Sequence, residues 1–288
     1  MKKVLSISLV LIAICALNFS ARTPESQNRA IANKMVAAME SYQTCQYTMK
    51  SEERLPDMKD LRGGEIFTKV NETPRKIYMK MTADPNKGTE VLYADGENSG
   101  KATVKSNKLF FSISLAPTGG MLTKDQHHTL NSAGFRLVAR IVKAGMKRSD
   151  EQGKFDEVFK YAGDVTWNNR ACYKLVIEDP TWAYTTYKAQ KGETMLTIAN
   201  KLLISEYSIA DLNGVKSFED DLGGKTLKVP SSYAKKSVFY VDKENNFPVF
   251  QELTDDRGVF ERYQFFNLKI NPAFKSNEFT KGFEGYNF

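Results

Sequence analysis

The sequence predicts an α+β fold, an antiparallel sheet covered by helices with a small strand, helix, helix, strand unit set into it. Three observations predict it. From Thr44 onward, apolar and polar residues alternate with period two in short runs divided by turn signals. Two longer stretches, near residues 25–42 and 123–144, carry apolar residues at helical spacing instead. Between Tyr187 and Pro230 the pattern passes from strand to helix to helix and back to strand.

The chain opens with Met1-Lys2-Lys3 and the apolar run Val4 to Leu17, the layout of a secretory signal peptide and too short for a membrane span. Residues 1–21 are expected to be this leader, which places the protein in the periplasm or cell envelope. Cys15 raises a lipid anchor, but Ile14 before it does not suit a lipoprotein signal. The next segment starts at Thr23-Pro24-Glu25, where Thr can cap, Pro suits the first helical position and Glu complements the helix dipole. Ile31, Met35, Ala38, Met39 and Tyr42 then share one face, giving a helix to about Tyr42.

Cys45, Tyr47 and Met49 begin the alternation, which continues through Ile66, Thr68 and Val70, then Ile77, Met79 and Met81, then Val91 to Ala94 and Lys108 to Ser112. Pro-Asn-Lys-Gly and Asp-Gly-Glu-Asn divide these runs, as expected of an antiparallel meander with one face on a core. A helix is expected over Thr123 to Ala144, stopped by Gly145, with His127 and His128 near its start as surface or capping residues. Strands resume at Phe155 to Tyr161, Cys172 to Glu178 and Trp182 to Tyr187, and after the inserted unit at Ser237 to Val241, Pro248 to Leu253 and Glu261 to Ile270. The larger domain is therefore read as residues 22–185 and 232–288, interrupted by a unit at 186–231 whose ends can meet.

Within that unit, Thr194 can cap a helix carrying Leu196, Ile198, Ala199, Leu202 and Leu203, and Asn213-Gly214 can end the second helix. Lys191-Gly192-Glu193-Thr194-Met195, Ile198-Ala199, Leu212-Asn213 and Gly224-Lys225-Thr226-Leu227-Lys228-Val229-Pro230 stand in an order that resembles the LysM module, with Glu193 at a position usually Asp and Met195 at one usually Leu. The resemblance implies binding of an N-acetylglucosamine glycan such as peptidoglycan. The groove would be made by Gly192, Glu193, Thr194 and Met195 on one side and Asn213, Val215 and Lys216 on the other. Gly192 would let backbone approach the sugar, and free amides before the helix would donate to an acetamido carbonyl.

Outside the unit, Pro74-Arg75-Lys76-Ile77-Tyr78-Met79, Gly88 with Glu90-Val91-Leu92-Tyr93, Phe239-Tyr240-Val241-Asp242 with Phe247-Pro248-Val249, and Asn267 to Phe288 carry a second likeness. This part resembles the LolA-like superfamily, and more closely a family of exported proteins of unknown function within that fold. That implies a strongly curved antiparallel half-barrel with helices across its open side, and a lipid or lipoprotein as partner. Met49, Met79, Met81, Phe110, Ile113 and Leu115 could line a cavity for acyl chains or fill a plain core.

Composition narrows the function further. The excess of 41 basic over 34 acidic residues is mild, and the basic clusters are short and offset by acidic stretches, so nucleic-acid binding is disfavoured. The sequence holds no Gly-x-Ser-x-Gly, His-Glu-x-x-His or phosphate loop, and no His or Cys set at metal-ligand spacing. No catalytic residue, metal or cofactor is therefore assigned. Cys45 and Cys172 remain once the leader is removed; as a disulfide they would contribute about 4 to 5 kcal/mol, and otherwise they stand as separate buried thiols. The reading that unites these features is a non-catalytic envelope protein attached to peptidoglycan by its inserted unit. The alternative is a periplasmic lipid or lipoprotein carrier in which that unit is only structural.

Overall fold

The computed structural model describes residues 25–56 and 60–288. The leader, Cys15 and the Thr23-Pro24 helix start lie outside the described residues. Helix α1 runs from Gln27 to Ser41, capped by Ser26, whose hydroxyl accepts the Arg29 amide at 3.3 Å. It buries Ile31, Ala32, Met35, Val36 and Met39. A meander follows: β1 (Thr44–Arg54), β2 (Leu61–Asn71), β3 (Lys76–Met81), β4 (Glu90–Ala94), β5 (Ala102–Lys105) and β6 (Ile113–Leu115). Short α2 (Gly120–Thr123), long α3 (Arg136–Glu151) and short α4 (Phe155–Val158) lead to β7 (Phe159–Trp167) and β8 (Arg170–Glu178). Then come β9 (Tyr184–Lys188), α5 (Met195–Leu202), α6 (Glu206–Asn213), β10 (Thr226–Pro230), β11 (Lys236–Asp242), β12 (Pro248–Asp255) and β13 (Gly258–Ile270).

Eleven strands form one open, curled sheet in the order β6-β5-β4-β3-β2-β1-β13-β12-β11-β8-β7, every pair antiparallel. Strand β13 joins the two halves by pairing with β1 on one side and β12 on the other. On the inner side, the main core gathers Met35, Met39, Tyr42, Phe135, Phe159 and Phe260 between α1, α3 and the sheet. On the outer side the C-terminal segment is fastened by Tyr286, stacked on Tyr78 at 3.7 Å, and by Asn287, whose side chain donates to Glu90 at 2.7 Å.

Strands β8 and β11 pair with each other, Glu178 opposite Lys236, and the strand, helix, helix, strand unit is spliced between them. Its own strands pair from Tyr184–Pro230 to Lys188–Thr226, so its ends meet. It owns a separate core of Met195, Ile198, Ala199, Ile209, Leu222 and Leu227. Thr194 caps α5 in a reciprocal arrangement with Thr197, and Gly214 ends α6 at φ 65°.

Several sequence expectations need correction. Thr123 to Ala144 is not one helix: α2 stops at Thr123, Leu130–Ser132 makes a single 3-10 turn, and α3 starts at Arg136 and passes through Gly145 to Glu151. The apolar spacing arose because Leu130 and Phe135 are buried in two different clusters. Gly145 is a contact residue rather than a stop, since a Cβ there would sit 3.6 Å from the Phe159 ring. Lys108 to Ser112 is the loop between β5 and β6, while Phe155 to Val158 is a helical turn and the strand begins at Phe159. Cys45 and Cys172 are free and buried. They lie on β1 and β8, with β13, β12 and β11 between them in the sheet, and strands stand about 4.8 Å apart, so the two cannot approach bonding distance.

Candidate functional site

The inner face of the curled sheet and α3 enclose a cavity of about 610 Å³. Strand register arranges its wall in rows, because side chains two apart on each strand share a face. One row runs Tyr47, Thr68, Met79, Val91, Val104, Ile113 across β1 to β6. The next holds Phe265, Met49, Ile66 and Met81. Moving along the strands the chemistry changes: the third row is Gln251, Tyr263, Ser51, Gly64, and the fourth is Ser237, Leu253, Glu261, Glu53, Arg62. Leu137, Val138, Ile141 and Val142 of α3 form the opposite wall. The cavity is thus apolar at one end and polar at the other.

Of the candidate lining residues, Met49, Met79, Met81, Ile113 and Leu115 face the cavity. Phe110 does not; it stands fully exposed on the β5–β6 loop. At the polar end Gln251 is 2% exposed, and its amide nitrogen has no partner among the described residues.

Beside that polar end lies a buried cluster that sequence reasoning placed on the surface. His127 is buried, with Nδ1 2.9 Å from Glu261 Oε1 and Nε2 2.7 Å from the Arg54 carbonyl. Both ring nitrogens face acceptors, which calls for the doubly protonated ring beside an ionised carboxylate. Burial opposes that charge, but Glu53 and Glu261 outweigh it and hold His127 above the ordinary histidine value. For His128 burial is likewise outweighed, by Glu261 and Glu206, and its pKa is raised well above normal. Glu261 feels the reverse: burial favours its neutral form, yet His128 and His127 bring it down to about 2. The Tyr233 hydroxyl lies 3.1 Å from both Glu261 oxygens.

The cluster also fastens the inserted unit to the sheet. Tyr207 of α6 stacks on His127 at 4.2 Å and accepts from Arg54 Nε at 3.1 Å, while Asp211 pairs with Arg257 and Glu206 lies 3.6 Å from His128. One signal could have found this: Glu261 shares the inward face of β13 with Tyr263 and Phe265, a charged residue in an apolar register. Among the described residues, no group of three His, Cys, Asp or Glu has the geometry to hold a metal ion.

The glycan candidates are placed as follows. Gly192 takes φ 79° in an exposed turn. Glu193 turns back into the unit, 2.8 Å from Lys201 Nζ and 2.8 Å from the Gln190 amide, and these contacts lower its pKa to about 2. Thr194 serves as the cap, and Met195 is buried in the unit's core. Asn213 spends its amide on strand β10, donating to the Lys228 carbonyl and accepting the Lys228 amide, each at 2.8 Å. Val215 is half-buried and Lys216 exposed. The first turn is bonded to residues 218–222 rather than to 213–216: Leu196 donates to the Phe218 carbonyl at 3.1 Å and Leu222 to that of Glu193 at 2.8 Å. These bonds join the first turn to the later part of the same loop that follows α6.

Fold and site define an open antiparallel half-barrel with a helix-covered, two-ended cavity. Residues 40–213, more than half of the chain, match the model of DUF1571, described as a protein of unknown function, and the chain belongs to that family. No curated protein matches it by sequence. Solved structures with a similar fold include the lipoprotein LppX of Mycobacterium tuberculosis, at 10% identity over 85% of this chain and 96% of that one, TM-score 0.40. LprF from Mycobacterium bovis follows at 12% identity, covering 90% and 100%, TM-score 0.41. A LolA superfamily protein from Nitrosomonas europaea stands at 10% identity, covering 89% and 99%, TM-score 0.32. Likeness at this level says nothing of a ligand.

Proposed function

We propose that this protein is a non-catalytic, LolA-like carrier of the cell envelope that holds the acyl chain of a lipid or lipoprotein in the half-barrel. The observation that carries this reading is the cavity itself. Its 610 Å³ falls within the roughly 300–1,000 Å³ of ligand pockets. Two complete rows of its wall offer almost only methionine, valine, isoleucine and phenylalanine to an occupant. Methionine adapts to flexible chains better than branched residues do. The titratable groups Glu261, His128 and Tyr233 at the polar end are engaged with one another, which favours holding a ligand over transforming one.

Between the two readings of the sequence, the geometry favours the carrier. The sugar-binding reading requires free groups on the LysM-like unit, and Glu193, Met195 and Asn213 are committed to its interior. Binding of cis-parinaric acid, a fluorescent fatty acid, tests the carrier reading, with native mass spectrometry of protein purified by mild extraction alongside. One chain per protein is expected in both, and substitution Met79→Trp should displace it. A clean apo mass together with no fluorescence enhancement would overturn the proposal.

A further inference from the structure

All of the large apolar side chains that stand exposed among the described residues lie in one place. Phe110 is 101% exposed, Phe111 64% and Leu109 36% on the β5–β6 loop, and Met121 is 73% exposed on α2. Elsewhere the chain buries its large apolar residues, so this concentration is a built feature rather than scatter. The loop is held in shape: Lys105 Nζ donates to the Leu109 carbonyl at 2.7 Å, and Asn107 donates to the Lys87 carbonyl of the neighbouring β3–β4 loop at 2.6 Å. Leu109 and Met121 line the cavity, whereas the exposed Phe110 and Phe111 do not. The aromatic pair therefore forms a tip at the cavity's mouth.

The tip's own stretch of chain carries charge of one sign, while Asp84 stands exposed on the adjoining β3–β4 loop and Thr118 donates to Glu219. Residues 98–124 contain Lys101, Lys105, Lys108 and Lys124 and no acidic residue. Lys87 joins them from the adjoining loop, and the nearest following acid, Asp125, is paired with Arg62 at 2.8 Å. A narrow apolar tip fringed with lysine suits a surface with anionic groups outside and hydrocarbon beneath. A flat protein partner would leave a fully protruding Phe110 side chain without a matching pocket.

We propose that Leu109, Phe110, Phe111 and Met121 insert into the outer layer of an anionic lipid bilayer, with Lys87, Lys105, Lys108 and Lys124 against the head groups. The cavity mouth then opens onto the membrane; that ligand exchanges there rests on the carrier reading, while docking itself does not.

Cosedimentation with vesicles of phosphatidylcholine alone, or of equal parts phosphatidylglycerol and phosphatidylcholine, tests the proposal. The full chain should sediment with the anionic vesicles, less so as salt is raised, and only weakly with the neutral ones. Joint substitution Phe110→Ser and Phe111→Ser should weaken binding by about 100-fold. Lys87→Ser with Lys108→Ser should weaken it less and lower the salt dependence by about half. Both pairs are exposed, so the melting temperature should stay put, and cis-parinaric acid binding should survive in the aromatic variant. Failure to sediment with anionic vesicles, or sedimentation indifferent to the aromatic substitutions, would overturn docking. So would a concentration-dependent dimer that dissolves in the aromatic variant without any vesicle binding. In each of these cases intact parinaric acid binding would leave the carrier reading standing.

Discussion

The half-barrel and the inserted unit are made from similar residues and end up differently filled. In the unit two short helices lie directly over a two-stranded ribbon, and ten buried apolar side chains close on one another. Its polar groups are spent internally, Asn213 on β10 and Glu193 on Lys201 and Gln190. In the half-barrel a curled eleven-stranded sheet faces two long helices, α1 and α3, on its inner side, and they leave part of the concave wall lining a cavity. The small unit closes its apolar side chains on one another; the large one has apolar surface that its own chain leaves partly uncovered. Curvature, rather than composition, separates a packed core from a container.

The greatest loss should come where the two regions are joined. Glu261→Gln leaves His127 charged and buried without its partner and should cost about 3–5 kcal/mol, read from urea denaturation. A loss below about 1 kcal/mol would mean that the cluster is dispensable for holding the unit in place.

Next comes a paired comparison of the two interiors. Ile198→Ala removes a fully buried side chain from the unit and should cost about 2–5 kcal/mol. Met79→Ala, on the cavity wall, only enlarges space already present and should cost less, about 1 kcal/mol. Equal costs would show that the half-barrel is as tightly filled as the unit.

Smaller again is the effect of pH. The folded-state pKa values of His127 and His128 are raised, so their stabilisation is complete below the unfolded value of about 6.5 and is lost as pH rises through the raised values. The urea midpoint should therefore fall from pH 6 to pH 9, and Glu261→Gln should flatten that slope.

The smallest effect expected is that of Gln251→Leu. It removes a buried amide nitrogen without a partner among the described residues, so stability should change by no more than about 1 kcal/mol, while affinity for cis-parinaric acid should rise. A large destabilisation would instead assign Gln251 a structural partner.

Local signals were legible where one surface decides burial. Period two marked β1 to β4 because each strand has one face on the core, and Thr194 and Gly214 marked helix ends through backbone chemistry that needs no tertiary context. Legibility failed where two distant surfaces compete for neighbouring residues. Leu130 and Phe135 are buried by different clusters and so mimic one helix. His127 and His128 read as surface residues because Glu261, which buries and charges them, lies 134 positions from His127. Tyr207 belongs by sequence to the inserted unit and by packing to the main core, so a boundary drawn on pattern alone divides a working joint. For the candidate site, the methionine wall could be named from strand spacing, whereas the exposure of Phe110 could not, since a loop that ends in aromatics has the composition of a strand.

The placement of β13 has a kinetic consequence. Every other strand of the sheet precedes it in the chain, yet it occupies the seam between β1 and β12, pairing Cys45 with Ile270 across most of the polypeptide. Until that segment arrives, the two half-sheets have no common edge and the container has no floor. Closure of so long a loop makes for slow assembly.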